Sequence, residues 1–227
     1  MANPGRTHLI RSFWTIVLLA LSAATSVMGQ MPGPALQKDC QPCRFKVAPE
    51  LPEYSFRFVV QPAPHNSRVV TSIQIARGPD STPVQTLRVR DMLPIGDNEQ
   101  FFVGGQDINF DGYLDLLLAT RRGAANTYVD YWLFTPSKSF TYLGNYPVFK
   151  VDAEHRRLST YERGGHAGMI YEAKEYSFVR EKLTLMKAEK QEATAKTGVY
   201  HKTTRKRVQG VLRVVHSELV TAPHPSP

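Results

Sequence analysis

Residues 104 to 119 read "GGQDINFDGYLDLLLA", with oxygen-bearing side chains at alternate positions: Asp107, Asn109 and Asp111, then Asp115 beyond Gly112 and Tyr113. Hard divalent cations take six to eight oxygens from carboxylates, amide and backbone carbonyls, and water. In a twelve-residue calcium loop, positions 1, 3 and 5 give side-chain oxygens, position 6 is a turn-making glycine, and position 7 gives its carbonyl. Counted from Asp107, those positions are Asp107, Asn109, Asp111, Gly112 and Tyr113, and Asp115 stands at position 9. Leu118 occupies position 12, where a helical hand carries a bidentate glutamate. The ring is therefore expected to close through Asp115, directly or through a water.

The competing account is a metal-free turn, in which Asp and Asn side chains bond their own backbone. That account leaves three carboxylates within a few residues repelling one another. The spacing favours a structural Ca2+, with Mg2+ behind it because Mg2+ uses fewer protein ligands and keeps its waters. Extracellular calcium modules bind at about 10⁻⁴ to 10⁻³ M, which gives structural support rather than a signalling switch.

The elements that must hold this loop read as strands. Ile108, Leu114 and Leu116 fall between the acidic residues, so they are expected to point into a core while the acids point at the ion. "YSFRFVV" (54–60), "VVTSIQIA" (69–76) and "PVQTLRV" (83–89) are rich in β-branched and aromatic residues. They are separated by Pro-, Gly-, Asn- and Asp-containing turns. "YLDLLLAT", "YVDYWLF", "SFTYLG", "MIYEAKEYSF", "KLTLMKA", "TGVYHKTT" and "VLRVVHSELV" continue the pattern downstream. "KLTLMKAEKQEATAK" has helix-forming composition, but its first half alternates at period two. The fold class expected is all-β: an antiparallel β-sandwich or open barrel, residues 53–220, with a tail at 221–227.

The N-terminal segment has a different logic. Residues 1–29 carry Arg6 and Arg11, an apolar run from Phe13 to about Ala24, and small residues before Gln30. That is the layout of a secretory signal peptide, with cleavage expected after Gly29 or, as second choice, after Ala24. The run is short for a membrane anchor, so no stable span is expected in the mature form, which would be periplasmic or secreted. Losing Arg6 and Arg11 takes the formal charge from +8 to +6. Part of the excess lies in "HKTTRKR", 201–207. No nucleic-acid-binding motif accompanies that run, so nucleic acid is not an expected partner; a solvated face, an anionic envelope surface or an acidic partner is.

Residues 30–52 are dense in proline and read as an extended leader. They hold both cysteines of the chain, Cys40 and Cys43, as "CQPC". A zinc site would need a second ligand pair, and a thioredoxin-like site a βαβ setting. In an exported protein the expected state is a local disulfide, Cys40–Cys43.

On these residues the chain resembles a family of small exported bacterial proteins with a single FG-GAP-like calcium loop. "DINFDGYLDLLLA" carries the likeness, and "SIQIARGPDSTPVQTLRV", "NTYVDYWLF", "SFTYLGNYPVF" and "RRLSTYERGGHAGMIYEAKEYSF" follow in the same order. The resemblance spans roughly residues 69 to 190. It implies a β-rich fold similar to inhibitors of invertebrate-type lysozymes. One type within the family is a periplasmic immunity protein against a lysozyme-like effector delivered by a type IV secretion system. It also implies Asp107, Asn109, Asp111, Tyr113 and Asp115 as metal ligands. Inhibitors of this kind push a loop into a glycosidase cleft, where two carboxylates do the chemistry. The matching loop is "ERGGHAGMIY", 162–171, with Arg163, His166 and Tyr171 as candidate partner-binding residues. The basic stretch after 195 and the "CQPC" leader depart from the family pattern.

No nucleophile elbow, zinc-protease helix or phosphate loop is present, and "GGHAG" lacks the Lys-Ser/Thr of a P-loop. An enzyme is not expected. The functional expectation is a calcium-binding inhibitor of a lysozyme-like peptidoglycan hydrolase. The alternative is an envelope or adhesion-type calcium-binding module with no enzyme target.

Overall fold

Among the described residues the chain builds three antiparallel sheets from sixteen strands, and none of these sheets closes into a barrel. The computed structural model describes residues 37–38, 43–78, 82–90, 92–96 and 102–222, all within the compact unit Gly33–Pro227. The segment read as a signal peptide, Cys40 and the last residues of the tail lie outside the described residues.

The first sheet contains β2 (Cys43–Lys46), β3 (Glu53–Ala63), β4 (Ser67–Arg77) and β5 (Gln85–Arg88) in that order, with β6 (Ile95–Gly96) on the far end of β4. The second sheet is ordered β1 (Gln37–Lys38), β7 (Phe102–Gln106), β8 (Asp115–Arg122), β9 (Thr127–Phe134) and β10 (Phe140–Pro147). The third is a meander of β11 (Lys150–Asp152), β12 (Arg157–Arg163), β13 (Tyr171–Val179), β14 (Lys182–Ala193), β15 (Val199–Val208) and β16 (Val211–Thr221).

The second sheet lies between two apolar cores, and this explains why β8 reads as an apolar run rather than an alternation. Leu116, Leu118, Trp132 and Phe134 pack on Phe56, Phe58, Ile73, Ile75 and Leu87 of the first sheet. From the other face of the same strands, Leu117, Val129 and Tyr131 join Phe149, Leu158 and Tyr176 of the third-sheet side. Every residue from Asp115 to Leu118 is buried.

One expectation needs correction, and one is borne out over a longer stretch. The Pro-rich segment is not wholly an extended leader: residues 43–46 pair with β3, and Val47 and Ala48 are buried. Phe45 stacks on Phe56 with ring centroids 4.4 Å apart. The physical cause is apolar content: Phe45 and Val47 gain more by burial than the neighbouring prolines lose in pairing. Residues 182–193 are strand throughout, so alternation outweighs helix-forming composition there.

Two of the hairpins close on primed turns, whose twist matches that of paired strands. Arg180 and Glu181 (φ 49° and 63°) join β13 to β14, and Gln209 and Gly210 (φ 51° and 79°) join β15 to β16.

Candidate functional site

The acidic loop runs from the end of β7 to the start of β8 and is fastened at both ends. Ile108, fully buried, plugs the core between the second and third sheets. The amide of Leu114 donates to the Val47 carbonyl at 2.8 Å, tying the loop to the N-terminal segment. Gly112 sits at φ 91°, a left-handed conformation that suits glycine. Phe110, also left-handed at 63°, lies under the Arg156 guanidinium of the β11–β12 turn.

The acids are drawn onto backbone donors. Asp107 accepts from the amides of Asp111 (3.2 Å) and Gly112 (2.9 Å), and Asp111 accepts from that of Tyr113 (2.9 Å) and from the Asn109 side chain (2.8 Å). Asp115 is fully buried, and its two oxygens accept from Ile108 N–H at 3.0 Å and Phe134 N–H at 2.9 Å. Its carboxyl is pushed up to about 7, chiefly by burial and further by the charges of Asp111 and Asp107, against the lowering pull of the Ile108 and Phe134 amides. Asp107 is likewise raised, chiefly by burial.

The five sequence-predicted ligands are thus brought onto one loop. Among the described residues, however, no three His, Cys, Asp or Glu side chains are grouped as a metal cluster. The donor chemistry still suits a hard cation. Each carboxylate oxygen keeps a second lone pair, and the Asp107 and Asp115 carboxyls sit where burial disfavours their charge. If an ion is held, Asp107, Asn109 and Asp111 would supply side-chain oxygens and Tyr113 its carbonyl. Asp115 would complete the set while fastening the loop to β9.

The other predicted residues lie together at one end of the third sheet. Arg163 ends β12 and Tyr171 begins β13, and the two are Cα partners. Between them, residues 164–170 fold into a self-bonded connection. Gly164 N–H donates to Ile170 O at 2.7 Å, and Met169 N–H donates to His166 O at 3.0 Å. His166 and Ala167 are both left-handed (φ 55° and 52°). Three tethers fix this connection. Asn126 of the β8–β9 turn donates to Arg163 O and accepts from Arg163 N–H, at 2.9 and 2.8 Å. Gln191 donates to Met169 O at 2.7 Å. His166 Nδ1 lies 3.2 Å from the Tyr200 hydroxyl.

Tyr171 stacks on Tyr161 at 5.3 Å and donates to Glu189 at 2.7 Å. Burial and that donation raise the Tyr171 phenol above its usual value. The same bond, with the Lys202 ammonium, holds the Glu189 carboxyl below its usual value. One groove borders the connection and another lies on the sheet beyond it. One, of about 470 Å³, lies between Ala124–Ala125 and Arg163, Gly164 and Gly168. The other, about 380 Å³, crosses the sheet over Tyr161, Glu175, Lys187 and Glu189.

Tyr161, Glu189, Tyr200 and Asn126 were not singled out from sequence. Period-two alternation places Tyr161 on the face of Arg163, but Asn126, Glu189 and Tyr200 come from other strands and turns. Cys43 is buried and disulfide-bonded, and Cys40 lies outside the described residues. The remaining histidine pairs are scattered: His155 with Asp152, His201 with Ser217, His216 with Glu218. None of these residues lines either groove. Among the described residues no helix is long and apolar enough to cross a membrane.

No family model and no curated protein sequence matches this chain. A solved structure is similar in fold: that of a Xanthomonas type IV secretion system related protein, at 13% identity and a TM-score of 0.50. The match covers 82% of this chain and 100% of that one. At that identity the likeness is one of fold.

Proposed function

We propose that the protein is an exported, type IV secretion-associated inhibitor that blocks a lysozyme-like peptidoglycan hydrolase, with Ca2+ as a structural ion in the loop at 107–115. A shared fold hosts many activities, so one piece of geometry carries the reading. The connection 164–170 leaves Arg163 and His166 exposed while Asn126, Gln191 and Tyr200 immobilise its frame. A probe entering an enzyme cleft must be rigid beforehand, because ordering it on binding would consume affinity. The fold likeness to a type IV secretion system related protein supports the same reading. The exposed Arg163 guanidinium suits a cleft whose working groups are two carboxylates.

The test is inhibition of a panel of lysozyme-like muramidases by the exported form, with Arg163→Ala beside it. Stoichiometric inhibition that weakens at least tenfold in the variant is the expected result. No inhibition of any member would favour an envelope calcium-binding module instead.

A further inference from the structure

The β15–β16 hairpin contributes no residue to either apolar core. It forms the free edge of the third sheet, and nearly all of β16 is exposed. Four valines crowd its end: Val208 and Val211 flank the turn, and Val214 and Val215 follow, with exposures of 40, 55, 56 and 48%. They occur on both faces of the ribbon, so no flat patch results.

Arg205, Lys206, Arg207 and Arg213 are interleaved with these valines, Arg205 opposite Val214 and Lys206 opposite Arg213, and Glu218 is the sole acidic residue from 195 to the end of the chain. Lys187, Lys206 and Arg213 are directly opposed across three strands. Like charges so placed destabilise a sheet. Glu175 answers Lys187 at 3.0 Å, but no carboxylate among the described residues pairs with Lys206 or Arg213.

We propose that this hairpin docks the protein on an anionic phospholipid surface, with the valine tip in the headgroup region and the cationic row against lipid phosphates. A partner protein would need one apolar face with a central anchor. Valines and cations interleaved on both faces of a ribbon fit a medium that surrounds it. The depth is limited because the unpaired amides and carbonyls of β16 cannot enter hydrocarbon unsatisfied. The site is separate from the inhibitory connection, and the inference does not depend on the function proposed above.

The test is flotation of the chain from Gln30 onward, which contains every described residue, with phosphatidylglycerol/phosphatidylethanolamine vesicles and with phosphatidylcholine vesicles. Binding to the anionic vesicles alone is expected, falling with added salt. Replacing Arg205, Lys206 and Arg213 by Gln should weaken it on the order of a hundredfold. Val208→Asp with Val211→Asp should abolish it, and unchanged melting curves would show that both variants fold. Equal binding to both vesicle types, absence of binding, or unaltered binding by the variants would overturn the proposal. So would self-association through β16, or saturation by soluble polyphosphate with no affinity for vesicles.

Discussion

The carboxylate of Asp115 accepts the Phe134 amide at 2.9 Å across nineteen residues of sequence, and its other oxygen accepts the Ile108 amide at 3.0 Å. One side chain thereby joins the acidic loop to the end of β9. Asp115→Ala would strand two buried donors, each costing about 1–3 kcal/mol. The expected destabilisation is about 2–6 kcal/mol, read from the urea midpoint. Asp111→Ala, at an exposed position, should lose no more than about 1 kcal/mol. Equal losses in the two variants would refute the bridging role.

Calcium should stabilise the folded state by relieving the buried charges of Asp107 and Asp115. At tenfold excess over Kd the gain is about 1.4 kcal/mol, or roughly 3–5 °C in Tm for a domain of this size. Scanning calorimetry of the chain from Gln30 onward with millimolar calcium and with chelator measures it. Asp107→Asn should erase the increment, and Tm values equal in both buffers would remove the ion from the account.

Gly164 tests the rigidity of the β12–β13 connection. A Cβ there would stand 2.6 Å from Ile170 Cγ2 and 3.1 Å from the Ile170 carbonyl that closes the connection. Gly164→Ala should therefore spread residues 164–170, lowering stability by about 1–3 kcal/mol. Inhibition should fall further than the Arg163→Ala effect, because the whole connection is displaced. Gly165→Ala, where a Cβ meets nothing within 4 Å, is the control.

Much of this architecture was legible from local pattern. Turn residues and β-branched alternation placed β3, β4, β9, β13, β14 and β16 to within a few residues. "DLLLA" read as a strand, and its lack of polar alternation is explained by a sheet covered on both faces. The division into three sheets was not legible, because it depends on which strands turn back on which. Strand β2 was hidden by proline-rich neighbours, although Phe45 and Val47 carried the signal. The acidic loop could be read because its residues are consecutive. The tether of Arg163 to Asn126 could not, since nothing local links a turn at 126 to a strand end thirty-seven residues on.

The Tyr171–Glu189 bond yields a pH dependence of definite sign. Donation by Tyr171, with the Lys202 charge, lowers the Glu189 carboxyl from its ordinary 4.5. A carboxyl lowered on folding contributes stability that is complete above its unfolded value and lost as pH falls through the folded value. The contribution should therefore hold at neutral pH and decline below about 4.5. Tyr171→Phe removes the donor and moves the folded value back towards the unfolded one, so the variant should be less stable than the parent at pH 7 by about 1 kcal/mol. It should also lose less on acidification to about pH 3.5. Other acids, such as Asp152 beside His155, are shared by both proteins and cancel in the difference. Urea midpoints at the two pH values make the comparison, and parallel losses in the two proteins would show that Glu189 does not feel the Tyr171 hydroxyl.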